Sequence, residues 1–123
     1  MKIYLAGPIE MCSTDEIKLW REYTKEKIHH HEFVEPRPNL TDSVEIFETN
    51  KFDVENTDMT FAFLPRNINA RRSSYGTIFE ISYAYALGKK VVIVSDDEYV
   101  HEHPVMKEIG EHFNTLDDAL RML

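Results

Sequence analysis

The segment Ser73-Ser74-Tyr75-Gly76-Thr77-Ile78-Phe79-Glu80 holds the residues whose types and spacing point most clearly to chemistry. It leaves the apolar run Met59–Leu64 through the loop Pro65–Ser74 and leads into a helical pattern. Gly76 lets a ligand approach the backbone closely, and the free N–H groups of a first helical turn favour an anion there. With Thr77 as N-cap, Glu80 falls in that first turn, where the helix dipole helps keep its carboxylate ionised. A fixed carboxylate at the mouth of a sheet can act as the nucleophile that cleaves a sugar bond. The same Thr77-x-x-Glu80 spacing is also that of a capping box, in which Glu80 only accepts a bond from the N-cap N–H. Spacing leaves both readings open.

Arg66, Arg71 and Arg72 lie just upstream and place three guanidinium groups within seven residues of an otherwise acidic chain. They suit an anionic ligand group, although a solvated loop would look the same. Ser74 can donate to such a group or be an ordinary loop serine.

The elements that must position these residues follow from apolar patterning. The runs Ile3–Ala6, Phe33–Val34, Met59–Leu64 and Lys90–Val94 are short, β-rich and continuous, as strands buried on both faces of a parallel sheet should be. Ser13 and Glu16 form a capping box that opens a helix towards His29, with Ile17, Trp20, Tyr23 or Thr24, Lys27 and Ile28 on one side. A weaker helix covers about Asp42 to Thr57. A third starts at Thr77, turns Ile78, Ile81, Tyr85 and Leu87 inward, and ends at Gly88; a last one runs over Leu116–Leu123. Strand and helix alternate, so the expected class is α/β, a doubly wound, flavodoxin-like parallel sheet of four to five strands flanked by helices. Ligands in such sheets bind beyond the carboxyl ends of the strands, here Gly7–Cys12, Pro36–Leu40, Pro65–Gly76 and Ser95–His103.

The 123 residues fit a single domain, 1–123, and their 42% apolar and 29% charged content is that of a soluble globular protein. A formal net charge of −8 disfavours a nucleic-acid polymer as partner but leaves room for a mononucleotide, whose one phosphate needs only local positive charge. Cys12 is the only cysteine, no apolar stretch approaches a membrane span, and Met1–Glu10 is too short an apolar run for a signal peptide. The expected setting is the cytoplasm. His29, His30 and His31 splay to different sides at a helix end and share no zinc-type spacing with Cys12, so they read as surface residues. His101 and His103 flank a loop near the presumed site with little to recommend them. Tyr83 reads as helix packing that could also line a pocket. Phosphate-loop and dinucleotide fingerprints are absent, so nucleoside triphosphate hydrolysis and dinucleotide redox chemistry have no support.

The chain resembles the nucleoside 2-deoxyribosyltransferase family over nearly its whole length. The matching pieces are Ile3-Tyr4-Leu5-Ala6-Gly7, Asp58 leading into Met59–Leu64, and Gly76-Thr77-x-x-Glu80-Ile81-x-Tyr83-Ala84 continuing through Ala86-Leu87-Gly88-Lys89. The resemblance implies that Glu80 is the nucleophile and that Tyr4 hydrogen-bonds and orients it. It also implies a small nucleoside or nucleotide as substrate, a 2′-deoxyribose, no cofactor or metal, and a homodimer or larger homo-oligomer. Gly7, Gly76 and Thr77 belong to the matching blocks and are expected at the substrate.

Two positions depart from the transferase pattern. An aspartate usually stands six residues before the glutamate; here it is Ser74, as in the family's 5′-monophosphate N-hydrolase branch. A hydroxyl can donate to a phosphate that a carboxylate would repel, and Arg71 and Arg72 would add to its binding. Eight residues before Asp58 the usual aspartate is Asn50, which can hydrogen-bond a base edge but cannot protonate it. Asp53, one helical turn on, could serve instead or be an exposed helix carboxylate. Asp58 suits a structural role at the strand entrance. Competing readings are a phosphoribohydrolase, a NAD glycohydrolase, and a nucleotide-binding sensor or sponge that has lost turnover.

Overall fold

The computed structural model describes residues 1–37 and 39–123; Pro38, inside the segment Pro36–Leu40, lies outside the described residues. Five strands, β1 (Lys2–Ala6), β2 (Glu32–Val34), β3 (Met59–Phe63), β4 (Lys90–Val94) and β5 (Glu111–Phe113), form one sheet in the order β2-β1-β3-β4-β5. Every pairing is parallel, with Tyr4 opposite Val34 on one side and Thr60 on the other. This is the doubly wound, flavodoxin-like order, in which the switch point between β1 and β3 opens a crevice.

The strands alternate their side chains between two buried layers. Ile3, Leu5, Phe61, Val92 and Val94 pack with Trp20 and Ile28 of α1 (Thr14–Lys27; Ile28 is its C-cap) and with Ala119 and Leu120 of α6 (Leu116–Leu120). Tyr4, Ala6, Ala62, Leu64 and Ile93 face the other way, against Val54 of α2 (Ser43–Glu55) and Ile81 and Ala84 of α4 (Tyr75–Ala86). Each fully buried aliphatic side chain contributes about 1.5–3 kcal/mol, so both layers are needed for a chain of this size. The alternation also has a chemical consequence: Tyr4 is the β1 side chain turned towards α4.

The Ser13–Glu16 capping box is present in full at the start of α1, and Asp42 caps α2 through the Glu45 N–H. Asp58 accepts from the Lys2 N–H and so ties β3 to β1, the structural role expected of it. Gly88, with φ of 75°, follows the C-cap of α4 as expected. The short helices α3 (Arg66–Asn69) and α5 (Glu98–Glu102), a 3₁₀ turn at Met106–Glu108, and β5 carry too few residues for a periodic signal.

The start of α4 corrects the sequence reading. Ser74 is its N-cap, so Thr77 is the third helical residue and Glu80 lies in the second turn. There is no Thr77–Glu80 capping box, and Ser74 Oγ instead bonds Thr77 Oγ1 at 2.6 Å. The inward face is Thr77, Glu80, Ile81 and Ala84, while Tyr85 and Leu87, expected inside, are exposed. Apolar count misleads here because a carboxylate occupies a core-facing position.

Candidate active site

The loops after β1 and β2, helix α2 and the segment Ile68–Glu80 enclose a cleft of about 580 Å³. It lies over the switch point between β1 and β3, where the strand order predicts a ligand. Gly7, Asn50, Arg71, Arg72, Ser74, Gly76, Thr77 and Glu80, all named from the sequence, line it together. At its inner end the Tyr4 hydroxyl donates to Glu80 Oε2 in a buried hydrogen bond.

Glu80 is only 3% exposed, and burial pushes its carboxyl up to about 7. The Tyr4 hydrogen bond and the Arg21 guanidinium hold it down, while the Asp53 carboxylate raises it further. Tyr4 is driven well above the ordinary phenol range, first by burial and then by the Glu80 charge, so it stays a donor. The pair is therefore a carboxylate of tuned basicity held in one orientation by a hydroxyl that does not ionise. The helix dipole, invoked when Glu80 was expected in the first turn, contributes little from the second.

Gly7 continues β1 into the cleft wall. A Cβ there would come within 2.7 Å of Trp20 Cζ2, so only glycine lets the turn lie against α1. The space beside the Gly76 Cα is open, with no neighbouring atom where a Cβ would stand, which leaves it free for a ligand. Arg71 and Arg72 reach across the cleft mouth to Glu16 at 2.8 Å and Glu10 at 3.2 Å. Arg72 also touches Met11, whose φ of 60° turns the loop after β1 towards it. Both ion pairs are half exposed, so an incoming anion can exchange for the carboxylates at small cost. Arg66 opens α3 and does not line the cleft.

Asn50 is on the cleft wall, whereas Asp53 is behind it and 4% exposed, not an exposed helix carboxylate. Its Oδ1 is 3.6 Å from Arg37, which lines the cleft, and its Oδ2 has no partner among the described residues. Burial raises the Asp53 carboxyl, while Arg37 and Lys2 lower it. Tyr83 donates to Glu55 and does not line the cleft. His101 faces a separate cavity of about 190 Å³ with Glu98, Glu102, His112 and Asn114. Among the described residues, no group of three His, Cys, Asp or Glu side chains is placed to hold a metal ion, and no helix is long and apolar enough to cross a membrane.

Sequence reasoning placed the segments Pro36–Leu40 and Pro65–Gly76 at the site without singling out Arg37, Leu40 or Ile68, and it missed Ile46 and the buried Arg21 behind Gly7. Only Arg21 left a usable signal: it occupies position 21 of the inward set 17, 20, 21, 24 and 28, a charge inside an apolar stripe.

Comparison with known proteins now adds to the geometry. No curated protein matches the sequence. Among solved structures, a 2-desoxiribosyltransferase from Leishmania mexicana superposes with a TM-score of 0.77 at 21% identity, covering 98% of this chain and 95% of that one. A 2-deoxyribosyltransferase from Bacillus psychrosaccharolyticus gives 0.73 at 21% identity, with 98% and 90% covered. A CMP N-glycosidase from Clostridium botulinum gives 0.67 at 19% identity, with 99% and 97% covered. At these identities the likeness establishes the fold. The sequence profile of the nucleoside 2-deoxyribosyltransferase family matches residues 3–120, nearly the whole chain. The chain is an enzyme of the nucleoside 2-deoxyribosyltransferase family.

Proposed function

We propose that the enzyme cleaves or exchanges the N-glycosidic bond of a 2′-deoxynucleoside 5′-monophosphate through a covalent glycosyl intermediate on Glu80. The observation that carries this reading is the buried Tyr4–Glu80 hydrogen bond at the inner end of the cleft. A Glu80 oxygen forms a bond to C1′ as the C1′–N bond breaks and its electron pair leaves with the base. Asn50 holds the base edge, and the departing nitrogen takes its proton from water, because an amide N–H is far too weak an acid to supply one. Water, or a second base, then attacks C1′ and releases Glu80, so the configuration is retained overall. Positive character on the sugar in both steps is stabilised by the carboxylate and by its fixed orientation. The chemistry calls for no cofactor.

Ser74, Arg71 and Arg72 line the cleft together and form the proposed phosphate site. The fold shared with a CMP N-glycosidase agrees with a monophosphate substrate. Asp53 acts through Arg37, which it holds at the cleft wall. A homodimer is also part of this reading. Val44 and Phe47 of α2 and Tyr75 and Phe79 of α4 are exposed apolar side chains, with the Phe47 and Phe79 rings 5.3 Å apart across the two helices. Sedimentation at micromolar concentration should show at least a dimer; a lone monomer would contradict it.

The test is turnover on a panel of nucleosides, deoxynucleosides and their 5′-monophosphates, read as released base. Release from a deoxynucleoside monophosphate in preference to the free nucleoside supports the reading. Binding without turnover by any of them would make the protein a nucleotide sensor.

A further inference from the structure

Arg21, 2% exposed, is the one buried cation among the described residues, and the reaction above does not use it. It projects from α1 towards the end of β1, and its bonds all go to main-chain oxygens. Nη1 donates to Ile17 O at 2.6 Å, Nη2 to Gly7 O at 3.3 Å and Leu5 O at 3.4 Å, and Nε to Leu5 O at 3.4 Å. The guanidinium also lies over the Trp20 ring, 4.6 Å from its centroid. Among the described residues no carboxylate lies within ion-pair distance of it.

A buried, unpaired guanidinium costs several kcal/mol of desolvation, and a neutral donor would satisfy the same carbonyls at lower cost. The positive charge itself is what needs explaining. The ionisable groups that feel it are Glu35 after β2, Tyr4 on β1, Glu80 on α4 and Cys12 on the loop after β1. The charged or ionisable groups that act on Glu80 are Tyr4, Arg21 across the sheet and Asp53 of α2. Arg37, Arg71 and Arg72 stand with Glu80 on the cleft wall. Those three are half exposed and paired with Asp53, Glu16 and Glu10, so Arg21 is the buried cation with no carboxylate at ion-pair distance. Gly7 and Leu5, which Arg21 grips, bracket Ala6 at the end of the strand that carries Tyr4.

We propose that Arg21 is a positioning residue of this site, which anchors the end of β1 beneath the cleft and supplies the fixed positive charge that stabilises the Glu80 carboxylate. The proposal rests on Glu80 being the reacting group. Guanidinium suits the task because its planar fork reaches three carbonyls while never losing its charge. The direction of the Glu80 perturbation agrees: burial raises the carboxyl and Arg21 opposes that rise. Without Arg21 the carboxyl would ionise at higher pH, so less of the enzyme would hold the nucleophilic form at a given acidity.

Arg21→Gln, Arg21→Met and Arg21→Lys separate charge from hydrogen bonding. The Glu80 carboxyl is titrated directly by carbon-detected NMR of glutamate-labelled protein, alongside the pH profile of kcat/KM for base release and a thermal melt. In Arg21→Gln and Arg21→Met the Glu80 midpoint and the acid limb of kcat/KM should both move to higher pH, by about half a pH unit or more. That corresponds to about a threefold loss of kcat/KM on the acid side. Arg21→Lys should keep both near the wild-type position even if its melting temperature falls. An unmoved Glu80 midpoint in both neutral variants would overturn the proposal, as would collapse of all three folds, which would make Arg21 a framework residue. If the wild type releases no base yet the midpoint responds as expected, the proposed reaction fails and the role of Arg21 stands.

Discussion

Two clusters of titratable side chains lie near the carboxyl side of the sheet, and they are built in opposite ways. Around Glu80, one buried carboxylate receives one hydroxyl and otherwise faces a cleft of about 580 Å³. Around His101 and His112, each imidazole spends its Nε2 on main-chain oxygens: Ser95 O at 2.8 Å for one, Met106 O at 2.9 Å and Ile109 O at 3.1 Å for the other. Their Nδ1 atoms face each other at 2.6 Å. The histidine pair fastens α5 and the 3₁₀ turn to β4 and β5 with no ring nitrogen left over. The glutamate keeps an oxygen and adjoining space to spare. A site is marked by unmet bonding capacity next to room for a ligand, and a cluster of ionisable residues is by itself a weaker sign.

The comparison breaks most sharply on Glu80→Gln. We expect base release to fall at least about 1,000-fold while the fold survives, because the other carboxylate lining the cleft among the described residues, Glu10, is exposed and paired with Arg72. The same variant tests burial. Glu80 titrates near 7 in the folded protein against an ordinary value of 4.5, so wild-type stability should fall as pH rises across that window. Gln lacks this cost. Glu80→Gln should therefore match wild type near pH 4 and exceed it above pH 7 by on the order of 3 kcal/mol in chemical denaturation. Equal stability at both pH values would mean that Glu80 is not charged in a buried place.

Tyr4→Phe removes the orienting hydroxyl and leaves the ring in the core. It should lower kcat about 10- to 100-fold with little change in KM, and a loss confined to KM would contradict an orienting role. Ser74→Asp should lower kcat/KM for a 5′-monophosphate about tenfold and spare the free deoxynucleoside, since it places a like charge beside the phosphate. Indifference to the change would move the phosphate elsewhere in the cleft. The smallest effect on turnover should come from His101→Asn. Base release should stay within about twofold of wild type while stability falls by about 1–2 kcal/mol, as expected for a broken structural contact.

Most of the sheet was legible because its strands are apolar runs bounded by turns, and the Ser13 and Gly88 helix signals stand at the ends they mark. The fifth strand, Glu111–Phe113, was not located, because three mixed residues at a sheet edge show no pattern. Glu80, Tyr4, Gly7, Asn50, Ser74, Gly76 and Thr77 were all named beforehand, and the fold gathers them. The reason Glu80 is special was not legible. The spacing suggested a first-turn residue helped by the helix dipole; the structure makes it a buried residue of the second turn. Asp53 was hidden for the same cause, since a charge on the inner face of a helix looks like a surface charge until the packing partner is known, whereas Arg21 stood inside an apolar stripe and could have been found.

The most direct test of the central claim is to quench the enzyme in acid during turnover of a deoxynucleoside 5′-monophosphate and to map the protein by mass spectrometry. A deoxyribosyl phosphate increment on the peptide containing Glu80, lost in Glu80→Gln and chased by water or added base, is the predicted result. Turnover with no increment on that peptide, or an increment on another residue, would contradict it.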